Sequence, residues 1–313
     1  MLYPPPRRQS HYWSTCRIIT QELYLRNLVS PAGEDIAITN GNVTLHYTKY
    51  GRGPLLIFVH GFPDHADTWA TFQVPFFART HTVLTPYLRG YPPSSVPADV
   101  SAYSSANFVS DLLAILDHEK AEKASIVGHD VGGGVVQYFA LAHPERVEAL
   151  VLVNTVVLPN FVRLIEFDPD QEYRAKYTIA LEAYHAGDPV PQQVFDILAS
   201  IRNETYRAEV TKYIEKGPID GMLHFYNDNY PEPPYGKNIS TAGMVEKVPT
   251  LIVWGTDDQY FSPKNYDGLA GWFEKGVRLV TVPGASHWSF RDQPEKFNVE
   301  VDGFLRTVGE LRG

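Results

Sequence analysis

Six short apolar runs recur along the chain, each closed by turn residues: "PLLIFVHG", "HTVLTPYLRGYPPSS", "KASIVGHD", "VEALVLVN", "PTLIVWG" and "VRLVTVPG". Continuous rather than alternating apolar runs suit strands buried on both faces of a largely parallel sheet. Ahead of them, "IAITNGNVTLHYTKYG" reads as a hairpin, with Asn-Gly as its two-residue turn signal. Between the runs lie stretches of helical spacing. "SANFVSDLLAILDHEK" places Phe108, Leu112, Ile115 and Leu116 on one face, and "GGGVVQYFALAHPERV" stops at Pro144. "QPEKFNVEVDGFLRTVGELR" closes the chain. Alternation of β and α predicts an α/β architecture with a doubly wound, mostly parallel sheet flanked by helices.

One region breaks the alternation. From about Val156 to Thr241 no buried strand is legible; the segment is rich in Tyr, Glu and Pro and ends in the stiff connector "NYPEPPYGKN". It reads as a helical insertion between the sixth and seventh core strands. The expected organisation is an N-terminal extension over 1–33, a core over 34–155, the helical insertion over 156–241 and the rest of the core over 242–313. The extension lacks the apolar centre of a secretory signal. Its basic, aromatic character would suit packing on the surface, a homodimer contact or a cleaved organelle peptide, the first being the simplest.

Composition narrows the function. The chain has 313 residues, 44% of them hydrophobic, and a net charge of -9. An acidic protein without a basic cluster carries no electrostatic footprint for nucleic acid or anionic membrane. No apolar run approaches the roughly 20 residues of a membrane span. The single cysteine, Cys16, excludes an internal disulfide, so a cytoplasmic setting is expected. Sequons at Asn42, Asn203 and Asn238 carry little weight without a signal peptide.

The chemistry is concentrated in four loops. "SIVGHDVGGGVV", Ser125 to Val136, has the outline Gly-x-nucleophile-x-Gly at a strand-to-helix turn, with Asp130 in the nucleophile position. The dipole of the following helix favours an anion there. The competing reading is an ordinary Asp helix cap. "FVHGFPDHADTW" follows another strand; Phe62 N–H and Val131 N–H, the latter just after the nucleophile, would form an oxyanion hole, unless His60 to Pro63 is only a turn. "VPGASHWSFRDQPEKF" carries His287 at a strand's carboxyl end, where open α/β sheets bind ligands. "IVWGTDDQYFSP" offers Asp257 and Asp258, either able to orient His287, with Asp258 favoured. The order Asp130, Asp258, His287 is nucleophile, acid, histidine.

From about Glu34 onward the chain resembles the α/β-hydrolase fold superfamily, and within it the soluble epoxide hydrolases. "HGFP", "LRGYPPSS", "GHDVGG", "WGTDD" and "GASHW" carry the resemblance. It implies that the insertion is a cap domain and that two cap tyrosines hold the epoxide oxygen. "GMLHFYNDN" resembles the segment of one and marks Tyr226; "KYTIALEAY" resembles the other and marks Tyr177. Tyr173, Tyr184, Tyr206, Tyr213 and Tyr230 compete as decoys among 19 tyrosines. Trp288, beside His287, is expected to line the substrate pocket with Phe62. His129, His143 and Trp69 are read as structural, His65 carries no assigned role, and no cofactor or metal is expected.

A carboxylate nucleophile needs no base to remove a proton and attacks a strained or activated sp³ carbon, which suits epoxides and alkyl halides. Related dehalogenases place Trp or Arg after the nucleophile; Val131, Gly132, Gly133 and Gly134 stand here instead. The expected reaction is hydrolysis of an apolar or aryl epoxide by water to a vicinal diol through an alkyl-Asp ester. Carbon–halogen hydrolysis, internal opening of an epoxide in biosynthesis, and a non-catalytic binding protein are the alternatives, the last disfavoured by the complete triad.

Overall fold

The computed structural model describes residues 31–217, 219–230 and 240–310. The expected N-terminal extension (save its last residues), Cys16, Asn238 and most of the proline-rich connector lie outside them, and with them the homodimer expectation.

Among the described residues, eight strands form one sheet: β1 (Glu34–Asn40), β2 (Val43–Gly51), β3 (Leu55–Val59), β4 (Thr82–Tyr87), β5 (Ala124–His129), β6 (Val147–Val153), β7 (Thr250–Gly255) and β8 (Val277–Val282). Their order is β1-β2-β4-β3-β5-β6-β7-β8. β1 and β2 pair antiparallel, as do β2 and β4; every later pairing is parallel. The predicted hairpin is present, one residue out of place. Its loop is Gly41–Asn42, because Asn40 still pairs with Val43. Gly41 alone takes a positive φ, +62°, as a turn with glycine at its first position requires.

The apolar runs fall where burial demands them. β3, β5 and β6 sit in the sheet's middle, and Leu56, Ile57, Phe58, Ile126, Val127 and Leu150 to Val153 are inaccessible. β8 departs from the expectation of two-sided burial. It is the edge strand, and Arg278, Leu279 and Thr281 face solvent.

Helices cover the sheet: α1 (Gln73–Phe77), α2 (Ser105–His118) and α3 (Val131–Ala142) come before β6. In α2, Phe108, Leu112, Ile115 and Leu116 are each at most 2% exposed, as their spacing predicts. Burying such side chains contributes roughly 1.5–3 kcal/mol each. Among the described residues between β6 and β7 lie six helices: α4 (Leu158–Phe167), α5 (Pro169–Ala175), α6 (Tyr177–Glu182), α7 (Gln192–Ser200), α8 (Glu204–Lys216) and α9 (Asp220–Asn229). Asn203 caps α8, its side chain accepting from Tyr206 N–H, so this sequon serves a helix start. After β8 come α10 (Ser289–Asp292) and α11 (Pro294–Glu310). No helix among the described residues is long and apolar enough to cross a membrane.

Parallel strands all present their carboxyl ends to the same edge. β3 delivers His60 to Asp64 there, β5 delivers Asp130, β6 Asn154, β7 Asp258 and β8 His287. The six inserted helices start at the carboxyl end of β6.

Candidate active site

Asp130 occupies the turn between β5 and α3 with φ 52° and ψ −120°. A non-glycine residue held there is strained, and such strain concentrates at functional sites. Its side chain makes no capping bond to α3. Oδ1 instead accepts from Phe62 N–H at 2.9 Å, across 68 residues. The carboxylate therefore points into the cleft rather than back onto its own helix, which removes the helix-cap reading. Close approach makes this possible: a Cβ on Gly61 would stand 2.4 Å from Asp130 Cβ. Val131 opens α3, so its N–H has no carbonyl one turn earlier to bond within the helix.

Asp130 Oδ2 faces His287 Nε2 at 3.4 Å, and His287 Nδ1 lies 3.1 Å from Asp258 Oδ2. Of the two adjacent aspartates, Asp258 is the partner. Asp257 turns outward to Arg202 at 2.9 Å. Asp258 is further held by Asn154 Nδ2, which donates to Oδ2 at 2.8 Å, and by Tyr260 N–H, which donates to Oδ1 at 2.8 Å. Asn154 Oδ1 accepts from Gly255 N–H, fixing the amide orientation.

The charges follow from this packing. Burial works against a charged imidazole, but Asp258 and then Asp130 outweigh it and raise His287 to about 10. Burial also disfavours the Asp258 anion; the His287 charge and the bonds from His287, Asn154 and Tyr260 overcome it and hold that carboxyl below its usual range. The raised value favours an imidazolium at His287, which sits between Asp258 and Asp130.

Tyr226, on α9, and Tyr177, at the start of α6, line the same space as Asp130. Neither hydroxyl is committed to a hydrogen bond among the described residues, while burial first and neighbouring tyrosines and Asp130 next push both well above the ordinary phenol value. Both stay protonated, the form that donates. The Tyr226 ring stands edge-on to Phe62, 5.6 Å between centroids.

The other cap tyrosines have other partners. Tyr173 is 71% exposed. Tyr184 donates to Asp220, Tyr206 to Asp64 and Tyr213 to the Pro92 carbonyl. Tyr230, read as a decoy, lines the pocket and packs on Tyr226, 5.3 Å between centroids.

Trp288 is a correction. It lines neither cavity beside Asp130, because its indole is turned away and Nε1 donates to buried Asp64 Oδ2 at 3.0 Å. Asp64 also accepts from Tyr206 and lies 3.5 Å from His129 Nδ1. His129 Nε2 in turn donates to the His287 backbone carbonyl at 3.0 Å. This buried network of Asp64, His129, Tyr206 and Trp288 was not legible in the sequence, nor were Asn154 and Tyr260. Trp69 is fully buried against Phe58 and Phe290, and His143 ends α3, both as expected. His65 packs against Tyr213 with tilted rings, 4.2 Å between centroids, and lines neither cavity beside Asp130.

Comparison with known proteins places these features in a family. The alpha/beta hydrolase fold family matches residues 54–294. Among curated proteins, epoxide hydrolase 2 of Caenorhabditis elegans is 25% identical over 87% of this chain and 81% of its own length. Epoxide hydrolase A of Mycobacterium tuberculosis is 28% identical over 89% of this chain and 98% of its own. Among solved structures, one from work on novel epoxide hydrolases in hot-environment metagenomes superposes with a TM-score of 0.75 at 26% identity, covering 88% of this chain and 99% of that one.

Proposed function

The chain belongs to the alpha/beta hydrolase fold family, and within that family we propose that it is an epoxide hydrolase, opening an apolar epoxide to a vicinal diol through an ester on Asp130. The observation that carries this reading is the approach of His287 Nε2 to Asp130 Oδ2 at 3.4 Å beneath two tyrosines. The curated relatives named epoxide hydrolase support it. Residues 156–241 serve as the cap, the remainder from 34 onward as the core.

The two Asp130 oxygens have different tasks. Oδ1 sits on Phe62 N–H. Oδ2, facing the cleft, attacks a ring carbon. The C–O bond to that carbon breaks, and its electron pair goes to the epoxide oxygen. Tyr177 and Tyr226 hold that oxygen, and one hydroxyl gives it a proton. Esterification removes the Asp130 charge that helps hold the His287 proton, so that proton can restore the phenol. His287, now neutral, accepts a proton from water as the water attacks the ester carbonyl carbon. The developing oxyanion on Oδ1 is stabilised by Phe62 and Val131 N–H. Collapse breaks the bond to Oδ2, which leaves in the diol; the water oxygen stays in the Asp130 carboxyl, the His287 proton completes the second hydroxyl, and the water's remaining proton passes from that carboxyl to His287 to restore the starting site. Asp258 orients and charges the imidazole throughout.

The test is intact-protein mass spectrometry of His287→Ala exposed to epoxides and to alkyl halides. The expected result is an added mass equal to the whole epoxide, mapped to the Asp130 peptide. Adducts from halides alone, lighter by the halogen, would reassign the activity, and no adduct from either panel would count against alkyl transfer.

A further inference from the structure

Two cavities meet at the nucleophile, and they are very unequal. Asp130, Tyr177 and Tyr226 belong to both. On one side a lobe of about 230 Å³ runs past Gly134, Tyr138, Val156, Leu158, Phe161 and Met244. On the other, Phe62, Ile197, Tyr260 and His287 enclose about 10 Å³. An apolar cavity of roughly 150 Å³ admits a benzene ring, whereas roughly 10–15 Å³ is the least that holds one water. The large lobe takes an aryl group or a medium alkyl chain; the small one has room for no more than the water that His287 activates. Its walls are braced. The Tyr260 hydroxyl bonds Ser200 and Gln259, each at 2.9 Å, and Phe62 packs edge-on to Tyr226.

Gly134 controls the large lobe. Three consecutive glycines follow Val131 in the first turn of α3, and two are required by packing. A Cβ on Gly132 would come within 2.3 Å of the His60 carbonyl oxygen, and one on Gly133 within 2.4 Å of Thr155. A Cβ on Gly134 would meet nothing within 4 Å, and its φ is ordinary. Glycine is the poorer helix former there, and no described neighbour demands it. What it leaves open is the lobe, one helical turn from Val131 on the same face.

Resting on the proposed activity, we infer that this site selects terminal epoxides, with all substituents on one ring carbon, and that Gly134 sets the length of the arm it accepts. A substituent on the second carbon would have to occupy the water-sized side, where Ile197 and Tyr260 stand.

The experiment compares kcat/KM for terminal octene oxide, its internal trans isomer and propene oxide in the wild type, Gly134→Ala, Gly134→Leu and Ile197→Ala. The wild type is expected to favour the terminal over the internal isomer by about tenfold or more, the order that pocket exclusion supplies. Gly134→Leu should cut the octene-to-propene ratio by about tenfold, and Gly134→Ala by less in the same direction, with undiminished thermal stability. Ile197→Ala should raise the internal isomer relative to the terminal one. Equal turnover of both isomers by the wild type, or an octene-to-propene ratio unmoved in both Gly134 variants, would overturn the inference while leaving epoxide hydrolysis intact. A wild type that consumes none of the three overturns the proposed function and this inference with it.

Discussion

His129 donates from Nε2 to the backbone carbonyl of His287, 3.0 Å away and 158 residues later. The carbonyl only accepts, so Nε2 carries the proton of this bond, and Nδ1 faces Asp64 at 3.5 Å. Asp64 is kept anionic. Burial opposes its charge, but His129, Tyr206 and Arg291 outweigh that. The loop after β3, the nucleophile turn, the histidine loop and cap helix α8 are thereby tied to one carboxylate.

His129 is therefore a positioning residue. His129→Phe is expected to lower kcat about tenfold with little change in KM, since the loop holding His287 loses its tether while the pocket keeps its shape. His129→Gln, whose amide can still donate, should recover part of the loss. Both variants should lose about 1 kcal/mol or somewhat more of stability in denaturant titration. Equal kcat in Phe and Gln variants would reduce His129 to a packing role.

Esterification of Asp130 should switch His287 from acid to base, and Asp130→Asn imitates the neutral ester. The imidazole is raised to about 10 by Asp258 and Asp130 against burial. Removing one anion should lower its titration midpoint by at least about one unit, read by ring-nitrogen NMR. The raised value also has a stability sign. Below the ordinary 6.5 the contribution is complete, and it is lost as pH rises through about 10. A midpoint unmoved by Asp130→Asn would show that Asp258 alone sets the charge.

Under the proposed mechanism, Tyr177 and Tyr226 are expected to act on ring opening and not on ester hydrolysis. Either Tyr→Phe change should slow ring opening by about 10–100-fold, with the double variant slower still, within the range a positioned acid supplies. In the His287→Ala background the build-up of the Asp130 adduct measures that step alone. Adduct formation at the parent rate in the double variant would remove both tyrosines from the mechanism.

Much of this was readable in the chain because the fold places its chemistry at strand ends. A buried strand announces itself by apolar continuity, and the residues just beyond it share one edge, so Asp130, Asp258, His287 and Phe62 could be assembled from local signals. The cap gave weaker signals. Its helices carry tyrosines at many phases, and whether Tyr230 or Tyr184 faces the cleft depends on docking angles that spacing does not encode. The partners of Asp64, His129 and Asn154 were not legible for a related reason: their bonds close across more than a hundred residues. Trp288 misled because adjacency to His287 in sequence was taken as adjacency to substrate. On a loop, successive side chains can diverge, and its indole went to Asp64.

Glu246 supplies a pH test of stability separate from the triad. It lies between α9 and β7, its backbone exchanging hydrogen bonds with Trp272 and Glu274. Its Oε2 has no hydrogen-bond partner among the described residues, and burial raises the carboxyl to about 8. The folded chain thus binds a proton that the unfolded chain releases near 4.5. Between those values, stability falls with rising pH by at most about 1.4 kcal/mol per unit, and the full cost is present only above about 8. Glu246→Gln keeps the shape and cannot ionise. Melting temperatures of the two proteins should be close near pH 5, and the variant should gain steadily as pH rises towards 9. The His287 contribution also declines over this range but is common to both, so it cancels in the difference. Parallel curves across the range would mean that the Glu246 carboxylate is stabilised in the fold after all.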